Sequence, residues 1–251
     1  MEKHIKIVIV TGGSRGLGAS TALKCAERGL GVIVTYNNNP RKADEVVSAI
    51  TEKGGKAVAL KLDVGDVSAF PKFRDAVTAQ LHAVWGRDTF DYLVNNAGYG
   101  LYAPFSTVTE EQFDGLFNVH LKGPFFLTQI LLSLMEDGGH IVNMTSATSR
   151  VATAGVSPYA SFKGGLEVLT RYMAKEFGER RIRANSVAPG AIRTELGGGL
   201  NDEFEALLAG QTALGRVGEP EEVGGVIASL LFDENRWINA QNIEVSGGYI
   251  I

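Results

Sequence analysis

The stretch that decides the reading is Ile7-Val8-Ile9-Val10-Thr11-Gly12-Gly13-Ser14-Arg15-Gly16-Leu17-Gly18. Ile5–Val10 is a short β-branched run, as expected of a strand buried on both faces. It stops at a glycine-rich turn, and residues 16–28 then follow with helical periodicity. Glycines between a first strand and a first helix let the backbone approach a pyrophosphate at the helix N-terminus. The spacing here is Gly12-x3-Gly16-x-Gly18. A tight strand-to-helix turn without a ligand would use the same residues, so the turn alone stays open between the two.

Outward from this turn the chain alternates strands with helices. Gly31–Tyr36 predicts a second strand, and Asn39 with Pro40 caps a helix that ends at Gly54-Gly55. Ala57–Leu62 is a third strand. Val67, Phe70, Phe73, Val77, Leu81 and Val84 mark one helix face, and Phe90–Val94 is a fourth strand. Thr109 and Gln112 form a capping box opening a helical region to about Met135, with a kink or break expected at Pro124. Ile141–Thr145, Ile182–Val187 and Asn242–Val245 complete seven strands. Helices open at Ser157-Pro158 and at Pro220. This order implies parallel βαβ units: an α/β fold with one doubly wound, mostly parallel sheet and helices on both faces. No linker or repeat divides the chain, so residues 1–251 are expected to form one domain. Residues 191–215 are glycine-rich and weakly patterned, as expected of a functional loop.

Composition narrows the function. The 251 residues carry a net charge of −4, without the basic excess of a nucleic-acid binder. No run approaches the about 20 apolar residues of a membrane span. Cys25 is the single cysteine, and His4, His82, His120 and His140 have no ligand spacing, so neither a disulfide nor a metal site is expected. The run Ile7–Val10 is too short for a signal-peptide core. The expectation is a soluble, cytoplasmic protein.

Three further motifs carry chemistry. Tyr159-x3-Lys163 places a phenol and an ammonium on one helix face, where the charge favours phenolate and suits the tyrosine to acid–base work. A chance surface pair would look the same. Ser146 follows the fifth strand, at the strand end where open α/β sheets bind ligands, and could hydrogen-bond a substrate oxygen. Thr145, Thr148 and Ser149 are rivals. Asn95-Asn96-Ala97-Gly98 follows the fourth strand as either a site or a polar loop start. Asn118 is a mid-helix candidate, or an exposed asparagine.

In joint order and spacing these residues resemble the compact branch of the short-chain dehydrogenase/reductase superfamily, together with Asp63, Pro189-Gly190 and Thr194. The resemblance runs from the first strand to the C-terminus and implies a Rossmann-type domain. It implies that Tyr159 exchanges a proton with the substrate and that Ser146 polarises the carbonyl. Lys163 would bind the nicotinamide ribose and lower the Tyr159 pKa, and Asn118 would steady a water in a proton relay. It further implies cofactor contacts from Gly12, Ser14, Arg15, Gly16, Leu17, Gly18, Tyr36, Asn37, Asn38, Asp63, Val64, Asn95, Ala97, Gly98, Pro189, Gly190, Ile192 and Thr194. Residues 191–215 would be a substrate lid. Where members often end in Gly-Gln and Asp-Gly-Gly, this chain has Ala240-Gln241 and Ser246-Gly247-Gly248.

The second strand ends Thr35-Tyr36-Asn37, without the acid that would bind a ribose 2′-hydroxyl. With Arg15 nearby, and Arg41 or Lys42 able to assist, NADP(H) is expected. The resemblance is particularly to 3-oxoacyl-carrier-protein reductases and related ketoreductases. Glu136-Asp137 stands where a carrier-protein-binding reductase tends to be basic, which favours a small free ketone or aldehyde. Tyr99, Leu101, Tyr102, Val151, Ala152, Leu196 and Leu207 are candidate pocket walls. The alternatives are an NAD(P)⁺-dependent alcohol or sugar dehydrogenase working oxidatively, and a catalytically silent nucleotide sensor. The apolar terminus Tyr249-Ile250-Ile251 is expected to pack against another subunit of a homotetramer.

Overall fold

The computed structural model describes residues 5–251; Met1–His4 lie outside the described residues. Seven strands form one sheet: β1 (Ile7–Val10), β2 (Gly31–Tyr36), β3 (Ala57–Lys61), β4 (Phe90–Asn95), β5 (Met135–Met144), β6 (Arg183–Pro189) and β7 (Asn242–Val245). Their order is β3-β2-β1-β4-β5-β6-β7, and every pairing is parallel. The order reverses between β1 and β4, and ligands of open α/β sheets bind outside the strand ends at such a switch point.

The alternation of side chains along each strand divides the core into two layers. Val8, Val10, Val32, Val34, Val94 and Val142 face one side. There they pack on helices α1 (Gly16–Glu27), α2 (Pro40–Thr51) and α8 (Pro220–Leu230). Ile7, Ile9, Ile33, Leu93, Ile141 and Ala184 face the other. That layer is covered by α3 (Phe70–Gln80), α5 (Gly123–Leu131) and α6 (Ser157–Glu176). The central strand β1 is wholly apolar because neither of its faces meets water.

Local signals place the helix starts. Asn39 accepts from the Lys42 backbone with Pro40 in the first turn of α2. Thr109 and Gln112 form both hydrogen bonds of a capping box at the start of α4 (Glu110–Phe117). Beyond α4 the structure departs from the expected helix to Met135. The chain widens into a π turn over Asn118–Lys122, where the Gly123 N–H donates to the Asn118 carbonyl five residues back. Pro124 sits in the first turn of α5, where its missing N–H costs little. The helix stops at Leu131, and β5 begins at Met135, earlier than the expected Ile141. Residues 191–215 are also more ordered than a loop. They contain α7 (Asp202–Gly210), whose Phe204 N–H donates to Asn201 and whose first turn carries Asp202, Glu203 and Glu205.

Candidate active site

The glycine turn is tied down from below. The Thr11 hydroxyl accepts from the Asn96 and Ala97 backbone at 2.9 and 3.0 Å. The Asn96 side chain donates to the Thr11 carbonyl at 2.8 Å. Gly12 has φ +63°, and a Cβ there would lie 2.8 Å from the Ala97 Cα; one on Gly18 would lie 2.3 Å from the Gly12 carbonyl oxygen. Only glycine permits that close approach. The first turn of α1 has no side-chain cap and no acid, so its N–H groups, with Ser14, Arg15 and Gly16 before and at it, are open to an anion. Leu17 packs its side chain into the core.

A cleft of about 450 Å³ opens beside this turn, lined by Ser14, Arg15, Gly16, Lys42, Thr194 and Glu195 among others. Asn37 and Asn38 are exposed beyond Tyr36, and Asp63 is exposed past β3, with one carboxylate oxygen accepting from Gly65 N–H. Val64 is buried in the core. Pro189 ends β6; Gly190 follows, with its N–H donating to the Val245 carbonyl, and Ile192 bridges to Gly218. Thr194 lies over Gly16. These features fit an adenine dinucleotide: a glycine cradle, an uncapped helix start, and cations where a 2′-phosphate would lie.

One expectation about charge changes. Arg15 does not stand free: its Nη1 donates to Glu195 at 3.1 Å, and Lys42 Nζ donates to the same carboxylate at 3.1 and 3.2 Å. The two cations hold the Glu195 carboxyl below its ordinary range, Lys42 more strongly than Arg15. An acid does therefore reach this corner, from the 191–215 segment and not from the end of β2. It was not legible because Glu195 is distant from both partners in the chain.

The catalytic candidates meet at the end of β5. The Ser146 hydroxyl, 9% exposed, accepts from the Thr148 backbone and hydroxyl. On α6, Lys163 is 4% exposed, lies 5.5 Å from the Tyr159 ring centre, and donates to the Met144 carbonyl at 2.6 Å. Burial without a carboxylate partner pushes Lys163 down to about 7. Burial pushes the Tyr159 phenol up to about 12, against an opposing hydrogen bond from Ser146. Desolvation is the larger effect on the phenol and the Ser146 hydrogen bond the smaller.

Asn95 and Asn118 differ in burial and in partners. The Asn95 side chain is buried under the sheet end, donating to Thr128 at 3.2 Å and Asn143 at 2.8 Å. It ties β4 to β5 and α5, while its neighbour Asn96 braces the turn. Asn118 makes no side-chain hydrogen bond among the described residues; its carbonyl serves the π turn. His120 is buried beside Tyr159, edge-on at 4.9 Å between ring centres. Gly98 packs its backbone against the His120 ring.

The mouth of the site is aromatic and apolar. Tyr99 lies 5.6 Å from the His120 ring, and Tyr102, 73% exposed, covers Gly155. Leu196, Phe204 and Leu207 are exposed in the 191–215 segment.

Comparison with known proteins agrees with this architecture. The family described as Enoyl-(Acyl carrier protein) reductase matches residues 12–250. An uncharacterized oxidoreductase of Methylorubrum extorquens is 37% identical over 246 residues, covering 97% of each chain. A hydroxynaphthalene reductase-like protein of Metarhizium brunneum is 33% identical over 260 residues, covering 98% of this chain and 95% of the relative. The structure of the angucycline C-6 ketoreductase LanV with bound NADP superposes with a TM-score of 0.94 at 35% identity, covering 98% of this chain and 95% of that one.

Proposed function

The chain belongs to the short-chain dehydrogenase/reductase family, and from that premise we propose that it is an NADPH-dependent ketoreductase acting on a flat, largely apolar aromatic ketone. The observation that carries the reading is the convergence of Tyr159, Ser146 and Lys163 at the end of β5, beside the glycine cradle and its two cations. The reductase relatives act on fused aromatic rings by name, and the Tyr99–Tyr102 mouth offers faces on which such rings stack.

When bound, NADPH supplies the hydride. The glycine turn, the first turn of α1 and Asp63 would hold the nucleotide, and Arg15 and Lys42 would pair with its 2′-phosphate. The Ser146 hydroxyl donates to the substrate carbonyl oxygen and orients it toward Tyr159. Tyr159 gives that oxygen its proton. A phenol near 12 is a weak acid at neutral pH, so the positive charge of Lys163 has to stabilise the phenolate as it forms. Residues 191–215 act as the lid that excludes water.

The carrier-protein alternative gains nothing from Glu136 and Asp137, since Asp137 is held by Arg180 at 2.7 Å and Glu136 lies near Arg87. We place the enzyme in the cytoplasm as a homotetramer. Phe125 and Phe126 on α5 and Val168 and Tyr172 on α6 are exposed faces for subunit packing. Tyr249 is buried in its own subunit, its hydroxyl donating to Gln211, and Ile251 alone is almost wholly exposed, at 92%. No helix among the described residues is long and apolar enough to cross a membrane.

The test is a panel of free ketones that includes fused-ring members, followed by NADPH consumption with NADH in parallel. Reduction of the fused-ring ketones, with NADPH preferred, is the expected result. Activity confined to alcohol oxidation, or to acyl thioesters, overturns the reading.

A further inference from the structure

Ser246-Gly247-Gly248 closes the chain, and the structure gives this end a partner: the turn over residues 146–151 that carries Ser146. Inside that turn the Ser149 N–H donates to the Ser146 carbonyl, and the Arg150 and Val151 N–H groups donate to the Ala147 carbonyl. The Arg150 side chain then leaves the turn for the chain's end. Its guanidinium forks onto both oxygens of Glu244, each at 2.8 Å, and donates to the Tyr249 and Ile250 carbonyls at 2.7 and 2.8 Å. The fork, foremost, holds the Glu244 carboxyl below its ordinary range. Ser246 donates to the same carboxylate at 2.6 Å, and its oxygen accepts from the Tyr249 N–H at 3.3 Å. Gly247 and Gly248, at φ +63° and +77°, let the chain double back here. Their carbonyls accept from the Leu214 and Ala213 N–H groups, each at 3.1 Å. One exposed arginine therefore joins the Ser146 turn to a chain end that is itself fastened to the close of the 191–215 segment. Exposed ion pairs add little stability. An arginine whose fork meets a carboxylate on both oxygens and two fixed carbonyls besides contributes geometry instead.

We propose that Arg150 is a positioning residue for carbonyl reduction: clamped to Glu244 and to the Tyr249 and Ile250 carbonyls, it fixes the turn that aims the Ser146 hydroxyl at the substrate oxygen. The inference rests on the ketoreductase reading above and adds no chemical step to it; Arg150 gains and loses no proton. The Ser146 oxygen accepts from the Thr148 N–H and hydroxyl within the turn, so the direction left to its own hydrogen is set by how the turn is held. The tie from the turn to α6 through Ser149 is the weaker one. The Ser149 hydroxyl has a single hydrogen, and it lies 2.9 Å from the Ser146 carbonyl oxygen but 3.4 Å from Glu167. Arg150 supplies the firmer anchor outside the turn. A lysine is no substitute, because one ammonium on a flexible stem cannot span two carboxylate oxygens and two carbonyls in fixed directions.

The test uses Arg150→Ala, Arg150→Lys and Ser146→Ala in the whole enzyme, on a fused-ring ketone that the wild type reduces. Arg150→Ala should lower kcat by about 10²-fold, the cost of a misplacement of about 1 Å. NADPH affinity by fluorescence should be unchanged, since the glycine cradle is untouched. Arg150→Lys should recover only a small part of the loss, because it restores the charge without the fork. The double variant carries the decision. If Arg150 acts through Ser146, adding Arg150→Ala to Ser146→Ala should cost no further kcat, whereas a residue that merely supports the fold would lower kcat by the same factor in both backgrounds. Hydrogen exchange read by mass spectrometry should quicken over residues 146–151 in Arg150→Ala and stay unchanged in β1 and β4. Near-wild-type kcat in a folded Arg150→Ala overturns the proposal. So do multiplying losses in the double variant, full recovery by Arg150→Lys, an equal loss of NADPH affinity, or unchanged exchange over 146–151. If Arg150→Ala does not fold, Glu244→Gln takes its place in the same cycle with the same outcomes. A wild-type enzyme that reduces no ketone defeats the functional reading instead, and hydrogen exchange alone then decides whether Arg150 holds the turn.

Discussion

Two charged clusters stand at the same end of the sheet and behave differently. Tyr159, Lys163 and His120 are enclosed, and burial moves each far from its ordinary ionisation: the phenol to about 12, the ammonium to about 7, the imidazole to about 3. Arg15, Lys42 and Glu195 are solvent-exposed and ion-paired, and the two cations hold the Glu195 carboxyl below its ordinary range. Desolvation acts on groups that leave water, whereas screening weakens contacts that stay in it. The enclosed cluster is therefore suited to chemistry. The exposed one is suited to exchange, since Glu195 can yield its two cations to a phosphate at small cost.

The sharpest way to break this contrast is Tyr159→Phe, which keeps the ring and removes the proton. Carbonyl reduction should fall by about 10²–10⁴-fold with NADPH binding retained, because general acid catalysis is worth that much. Near-normal steady-state turnover in this variant would show that the enclosed cluster does not carry the reaction.

Acid stability separates burial from catalysis. His140, in β5, is fully enclosed with both nitrogens partnered: Nδ1 lies 3.0 Å from the Leu230 carbonyl and Nε2 accepts from Asn185 at 2.8 Å. It too is pushed down to about 3, by burial first and then by Arg183. For His120 and His140 the folded value lies below the unfolded one, so below about pH 6.5 the unfolded chain binds more protons. Stability should then fall as pH falls toward about 3, by about 2 kcal/mol per histidine at about pH 5. Lys163 acts in the same sense higher up, with stability rising with pH between about 7 and the ordinary lysine value of 10.5. Denaturant melts across pH, with His140→Asn flattening the acid limb, would check this. A flat wild-type profile would mean that the histidines are not enclosed.

Deleting Tyr249, Ile250 and Ile251 probes a contact of intermediate burial. Arg150 donates to the Tyr249 and Ile250 carbonyls as well as to Glu244, and the tyrosine ring is buried. Losing that ring should cost about 1.5–3 kcal/mol, read as a lower melting temperature. Sedimentation decides whether the assembly's mass also falls. A wild-type monomer at assay concentration would end the tetramer proposal.

The smallest effect belongs to the exposed cluster. Glu195→Gln should tighten NADPH relative to NADH by no more than about fivefold, and less at high salt. Arg15→Ala with Tyr36→Asp should shift preference toward NADH, by removing a phosphate partner and adding an acid at the end of β2. Both are read as ratios of kcat/KM for the two cofactors. A Glu195→Gln effect that ignored salt would place that carboxylate in a drier setting than its exposure indicates.

How far the chain could be read in advance depended on whether a feature was local. The β-branched runs, the Asn39 and Thr109 caps and the Gly12–Gly18 turn depend on neighbours a few residues away, and they fold as their patterns require. Tyr159 and Lys163 share a face because α6 is regular. How Asn118 and Asn95 are placed was not legible in advance, for different reasons. The π turn changes the helical phase, so residue spacing no longer says which side chain faces inward. Asn95 lies at a strand end, where one residue's difference decides between the site and the interior.

What the amino-acid order determined by itself is the periodic part: seven strands, their covering helices, the glycine turn and the tyrosine–lysine pair. These follow from short-range sterics and from which side chains avoid water. The tertiary structure alone decided that His120 and not Asn118 meets Tyr159, that Glu195 closes on Arg15 and Lys42, and that Lys163 is enclosed without a counter-charge. Each of these depends on packing between segments remote in the chain, and on the desolvation that such packing imposes.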